Sequence, residues 1–92
     1  MNKRGRRKIR VKVSFFTILA DVVGTEKAEV ELQDNSGELS VNEMLEQLAK
    51  IYPGLQSIID EIIVIRGEEI LTLNDKVRDG DELLLLPPGS GG

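Results

Sequence analysis

Apolar and polar residues alternate from Ile9 onward: Ile9, Val11, Val13 and Phe15 are separated by Arg10, Lys12 and Ser14. A period of two places the apolar set on one face of a half-buried β-strand. Ile18, Leu19, Val22 and Val23 carry apolar character into a less regular connection, which Gly24-Thr25 ends. Ala28, Val30 and Leu32 then alternate with Glu29, Glu31 and Gln33, which predicts a second strand. The two strands suit a hairpin with a long, partly buried connection.

The period changes after the turn residues Asp34-Asn35-Ser36-Gly37. Ser40 and Glu43 have the S-x-x-E spacing of a capping box, which marks a helix N-terminus. Leu39 and Met44 stand where a hydrophobic staple needs them. Val41, Met44, Leu45, Leu48, Ile51 and Tyr52 fall on one helical face. Pro53-Gly54 ends the helix, because proline cannot continue the hydrogen-bond ladder.

Ile62-Ile63-Val64-Ile65 is a continuous apolar run rich in β-branched residues, which predicts a strand covered on both faces or an edge beside the core. Gly67 suits a turn, and Ile70-Leu71 a short return strand. Asp79-Gly80-Asp81 is a further turn, and Leu83–Leu86 is the last strand. Pro87 and Pro88 lack the N–H that sheet pairing needs, so the ladder stops there. The order predicts a mixed sheet of four or five strands with one main helix packed on one face. The first and last strands are apolar enough to lie side by side in its middle.

At 92 residues the chain is sized for a single domain with one modest core. Its 40 % apolar and 30 % charged residues are ordinary for a soluble globular protein. No apolar run approaches a membrane span. The basic N-terminus is not followed by an apolar h-region, so no signal peptide is expected and a cytoplasmic location is. Three parts are expected: a disordered basic arm over residues 1–8, the folded domain over 9–86, and a flexible tail over 87–92.

Cysteine and histidine are both absent. Disulfides, thiolate nucleophiles and thiolate or imidazole metal sites are thereby excluded, and no metal is expected. Asp60-Glu61, Glu68-Glu69 and Asp79/Asp81-Glu82 offer paired carboxylates, but an acid/base pair needs a cleft and one raised pKa. Solvated turn charges are the better reading in so small a domain. Asp79 and Asp81 lack the remaining ligands of a calcium loop.

Lys3, Arg4, Arg6, Arg7 and Lys8 make the arm basic, whereas residues 9–92 hold seven basic and sixteen acidic residues, a net charge of −9. An acidic body disfavours nucleic acid and favours basic partner surfaces. The arm has no interleaved aromatics, so a solvated segment is preferred to a nucleic-acid binder.

The stretch Ser14-Phe15-Phe16-Thr17-Ile18-Leu19-Ala20-Asp21-Val22-Val23-Gly24-Thr25 resembles the opening of the MoaD-like sulfur carriers, where a strand ends in paired aromatics. Tyr52-Pro53-Gly54-Leu55 is similar to the family's segment after its helix. Residues 79–92, from Asp79-Gly80-Asp81-Glu82 through Pro87-Pro88-Gly89-Ser90-Gly91-Gly92, resemble its D-G-D-E, apolar strand, P-P-x-[S/T]-G-G ending. Two positions depart: Leu86 stands where an aromatic is common, and Gly89 where Val or Ala is. The resemblance implies a β-grasp (ubiquitin-like) fold of the α+β class. It covers the MoaD and ThiS carriers, the ubiquitin-related modifier and the small archaeal ubiquitin-like modifiers (SAMPs).

The resemblance also implies a function without an active site on this chain. An E1-like adenylyltransferase would activate the Gly92 carboxylate with ATP, no cofactor being bound here. A thiocarboxylate at Gly92 would then serve molybdopterin biosynthesis, with the molybdopterin synthase large subunit as partner, or tRNA thiolation. The alternative is a protein modifier joined through Gly92 to target lysines, and the two roles can coexist. Lys12, Lys27, Lys50, Lys76 and the arm lysines are acceptors that the sequence does not rank. A third reading is a non-covalent binding module with an inert tail, since terminal Gly/Ser is common in frayed ends and linkers.

The tail residues suit the chemistry. Gly91 and Gly92 lack a Cβ, so their backbone can enter a narrow channel and approach phosphates closely. Pro87 and Pro88 favour an extended path that holds Gly89 and Ser90 off the body. Leu84 and Leu86 point to the sheet face opposite Leu83 and Leu85. With Phe16 they are candidates for a partner-docking patch beside the tail.

Overall fold

The alternation that begins at Ile9 forms an interior strand of a five-stranded sheet. A computed structural model describes residues 7–34 and 37–88. In chain order the elements are β1 (Arg7–Phe15), α1 (Ile18–Val23), β2 (Lys27–Asp34), α2 (Val41–Ile51), β3 (Ile63–Arg66), β4 (Glu69–Leu71) and β5 (Glu82–Leu86). Two 3-10 turns, Pro53–Leu55 and Ile59–Glu61, link α2 to β3. The strand order is β2-β1-β5-β3-β4, with β1 and β5 parallel and the other pairs antiparallel. The first and last strands are therefore neighbours within the sheet, as their apolar content predicts.

The core lies between the sheet and α2. Ile9, Val11, Val13 and Phe15 of β1 are buried, as are Leu83 and Leu85 of β5. They join Met44, Leu45 and Leu48 of α2 in one cluster. Phe15 also meets Tyr52 edge-to-face, with ring centroids 5.6 Å apart. Among the described residues no helix is long and apolar enough to cross a membrane.

Three local expectations are corrected. The less regular connection after Phe16 contains α1, a six-residue helix that ends at Gly24 with φ 89°. Gly24 donates its N–H to the Ala20 carbonyl, a left-handed cap that a Cβ would strain. The first strand begins at Arg7, so the arm expected over residues 1–8 yields its last two residues to the sheet. Arg7 and Lys8 pair with Asp34 and Gln33; ladder bonds need backbone, not apolar side chains. Residues 1–6 lie outside the described residues. Finally, the run at Ile62–Ile65 is neither an edge nor fully covered. It supplies β3, between β5 and β4, with Val64 buried and Ile63 and Ile65 half-buried.

The capping box forms as its spacing predicts. Ser40 Oγ accepts from the Glu43 N–H at 3.1 Å, and Glu43 Oε1 accepts from the Ser40 N–H at 3.0 Å. The other free N–H groups of the first turn are also satisfied. Val41 donates to the Asp75 carbonyl and Asn42 to that of Leu73, and the Met44 N–H makes the first intrahelical bond, to the Ser40 carbonyl. Leu39 and Met44 are both buried, as a staple requires. Ser40→Ala is expected to lower unfolding free energy by about 1 kcal/mol, read as a shift in a urea midpoint at unchanged slope. The loss stays modest because Asp75 and Leu73 still hold the helix start.

Candidate functional site

Strand β5 delivers the C-terminal segment to one end of the sheet. Its Leu85 lies opposite Phe15, and the Phe16 N–H donates to the Leu85 carbonyl at 3.0 Å. Pro87 and Pro88 follow outside any strand and are half-buried against the body. Gly89, Ser90, Gly91 and Gly92, the predicted positioning and reactive residues, lie outside the described residues.

The start of β5 is clasped as well. Asp81 Oδ2 accepts from Arg66 at 2.8 Å and from the Arg78 N–H at 2.9 Å. Asp79 Oδ1 accepts from the Arg10 N–H at 2.8 Å, and Gly80 donates its N–H to the Arg10 carbonyl. These turn carboxylates are thus engaged in holding backbone. Among the described residues no cluster of three acidic side chains could hold a metal ion.

The sheet face away from α2 divides into a charged half and an apolar half. On β1 and β2, Lys12 stands opposite Glu29 and Arg10 opposite Glu31. On β5, β3 and β4, Leu84 stands opposite Ile65, Leu86 opposite Ile63, and Ile65 opposite Ile70. Leu84 and Leu86 are half-buried, whereas Ile70 is 68 % and Phe16 51 % exposed. Leu84 and Phe16 line one open hollow, and Leu84 and Ile65 line another, so Leu84 joins the two.

Phe16 precedes a strained residue. Thr17 has φ 49° and ψ −121°, outside the comfortable regions for a side chain with a branched Cβ. Such a conformation costs about 1–3 kcal/mol and persists only when its surroundings fix it. Leu19 N–H to the Phe16 carbonyl and Ala20 N–H to the Thr17 carbonyl supply that fixing. The sharp reversal leaves Phe16 exposed where the chain exits β5.

The three predicted docking residues, Phe16, Leu84 and Leu86, therefore gather at the exit of the tail. Sequence reasoning missed Ile63, Ile65 and Ile70 as part of the same apolar surface. A signal was present: residues 62–65 are apolar at every position, and one helix can cover only one face of the sheet.

A mixed sheet with parallel β1 and β5 at its middle and one main helix on one face is a β-grasp, ubiquitin-like domain. The chain belongs to the ThiS family, which matches residues 13–92. It is 32 % identical over 93 residues to the molybdopterin synthase sulfur carrier subunit of Aedes aegypti, covering 97 % of this chain and 95 % of that protein. It is 34 % identical over 85 residues to small archaeal modifier protein 1 of Haloferax volcanii, covering 84 % of this chain and 94 % of that protein. The crystal structure of SAMP1 from that organism superposes with a TM-score of 0.73 at 33 % identity, covering 90 % of this chain and 99 % of the other.

Proposed function

We propose that this protein is a ubiquitin-like sulfur carrier whose Gly92 carboxylate is the reactive group, and that it is a substrate of its partner enzymes rather than a catalyst. The observation that carries the reading is a family match running through the Pro87–Gly92 ending, together with a relative named as a sulfur carrier subunit.

The chemistry requires an activating partner, because a carboxylate is a poor electrophile. A Gly92 carboxylate oxygen attacks the α-phosphorus of ATP in an E1-like adenylyltransferase. The bond to the pyrophosphate oxygen breaks, and an acyl adenylate forms. A hydrosulfide equivalent adds to the acyl carbon, the bond to the AMP oxygen breaks, and a thiocarboxylate remains. Attack of that sulfur on an electrophilic acceptor carbon forms the carbon–sulfur bond as the bond to an oxygen leaving group breaks. Hydrolysis of the acyl–sulfur bond then leaves the sulfur on the acceptor as a thiol and returns the carboxylate. An acceptor system of the molybdopterin synthase type, with a large subunit, fits the relative's name.

The fold supports this use. Partner enzymes need a rigid body to grip and an end that reaches into a nucleotide site. The Phe16–Leu84–Leu86 surface supplies the grip beside the exit of β5. The pairing of β5 with β1 and β3 fixes where the tail leaves.

A second reading has its own observation, a relative named as a modifier protein. In that reading a lysine amine attacks the activated acyl carbon, the bond to its leaving group (AMP in the adenylate) breaks, the nitrogen loses a proton, and an isopeptide bond remains.

Mass spectrometry of the protein and its adducts from the native host separates these readings. Arg78 is the last tryptic site, so the peptide spanning 79–92 reports on Gly92 directly. Exchange of one oxygen for sulfur is the expected result. The same peptide branched from lysines of other proteins assigns the modifier role. A free carboxylate alone under several growth conditions overturns both and leaves a binding module with an inert tail.

A further inference from the structure

We propose that the free edge of β2, with the hollow between β2 and α2, is a second binding surface that takes an extended partner segment of alternating basic and apolar residues by strand addition. It uses neither the tail nor the Phe16–Leu84–Leu86 patch, so it stands apart from the carrier chemistry.

Strand β2 lies at one border of the sheet. The Phe15 N–H donates to the Glu26 carbonyl, which fixes the parity of the ladder. Val13–Ala28, Val11–Val30 and Ile9–Leu32 are in step with it and exchange the bonds to β1. Lys27, Glu29, Glu31 and Gln33 therefore aim their N–H and C=O groups away from the sheet. The contacts of Gln33 bear this out. Its N–H donates to Gln47 Oε1 at 2.8 Å, and its carbonyl accepts from Gln47 Nε2 at 2.9 Å. The side-chain amide of Gln47 thus closes one end of the edge as a surrogate strand residue. At the other end the Thr25 hydroxyl donates to the Lys27 carbonyl at 2.9 Å.

Between these two plugs, Glu29 and Glu31 present both main-chain groups outward. Among the described residues, no hydrogen bond from another segment reaches them on that side. An open row of this kind is a template for an added strand.

The side chains select the occupant. Glu29 and Glu31 are exposed, and among the described residues neither carboxylate takes part in an ion pair. A residue directly opposite each would lie about 5 Å away, where a basic side chain is favoured and an acidic one opposed. Lys27 favours an acidic residue opposite itself. The residue between the two basic ones points to the other face, towards α2. There Gln47, Lys50 and Ile51 help to line a hollow of 410 Å³, and Ile51 is 47 % exposed. An apolar side chain suits that position. Antiparallel addition then calls for Lys-Val-Lys-Val-Glu or its equivalents.

A second copy of β2 is the poorer occupant. Two-fold pairing centred on Val30 sets Glu29 against Glu31, and pairing centred on Glu29 sets that residue against itself. Pairing centred on Ala28 matches Lys27 with Glu29 but needs the Lys27 carbonyl that Thr25 already holds. Strand β1 separates this edge from β5, so it stays open when a partner holds the tail.

The test is an ¹H–¹⁵N NMR titration of the full chain at low salt with capped Lys-Val-Lys-Val-Glu and with the charge-reversed Glu-Val-Glu-Val-Lys. Amide shifts are expected at Lys27, Glu29, Glu31 and Ile51, with binding of the reversed peptide weaker by about ten-fold or more. The double variant Glu29→Lys, Glu31→Lys is expected to reverse the preference. Equal responses to the two peptides, shifts centred on Leu84 and Leu86, or no shifts at millimolar peptide would each overturn the proposal. The comparison of peptides on the unaltered chain decides it even if the variant folds poorly. Its failure would leave the state of Gly92 untouched, since that is read separately by mass.

Discussion

Deleting Gly92 is expected to reduce adenylate formation by the activating enzyme to background, a loss of about a hundred-fold or more, while leaving the domain folded. The two halves of this result have separate causes. The reaction needs one carboxylate oxygen in line with the α-phosphorus, and a misplacement of about 1 Å already costs about a hundred-fold. Removing a residue retracts the carboxylate by about 3.5 Å, and added carrier cannot compensate for a reacting atom that does not arrive. Folding, by contrast, rests on the core of β1, β5 and α2, whose last strand ends at Leu86. ATP–pyrophosphate exchange with the purified activating enzyme reads the first half, and a thermal melt the second. Appending one alanine after Gly92 should fail equally, because it moves the carboxylate the other way and adds a Cβ to the channel. Exchange at the normal rate with the shortened chain would sink the proposal that Gly92 is the reactive residue.

The fold was legible in this sequence because its patterns are local and its caps explicit. Ser40 and Glu43 place the start of α2 to the residue, and the period-two runs at Ile9 and Ala28 place both strands of the hairpin. Legibility failed where local signals are weak. The helix α1 is six residues long, too short to display a period or to be stable in isolation. Its start at Thr17 has no side-chain cap and a strained backbone, so nothing in the residue type announces it. Arg7 and Lys8 read as solvated because their side chains are; their strand character comes from Gln33 and Asp34, some 25 residues away.

The proposed docking surface was half legible for a related reason. Leu84 and Leu86 could be assigned to the open face by alternation from Leu83 and Leu85. For Ile65 the unbroken apolar run signals only that some of its residues lie uncovered; which ones face out, and that Ile70 lies beside them, depends on the register of β3 against β5 and β4. The edge of β2 was not legible at all: the bonds of Gln47 to Gln33 join residues 14 apart through a turn.

The patch yields the second large effect, and it differs in kind from the first. Leu84→Glu is expected to lower kcat/KM for adenylation by about a hundred-fold, through KM, with turnover largely restored at high carrier concentration. Leu84 is chosen for its position. It lies opposite both Ser14 and Ile65, and it lines both hollows of the face. A residue at the centre of a desolvated patch carries about 2–4 kcal/mol, and a carboxylate there adds the cost of burying an unpaired charge. The domain should tolerate the change, because Leu84 is half-buried on the face that α2 does not cover, while Leu83 and Leu85 keep the core. Glu46→Ala, on the exposed side of α2, is the control and should behave like the unaltered protein. The contrast with the tail variant carries the test: shortening the tail removes the reacting atom, whereas charging the patch weakens the grip that presents it. A Leu84→Glu protein that melts normally and is adenylated with an unchanged KM would place the docking surface elsewhere on the domain.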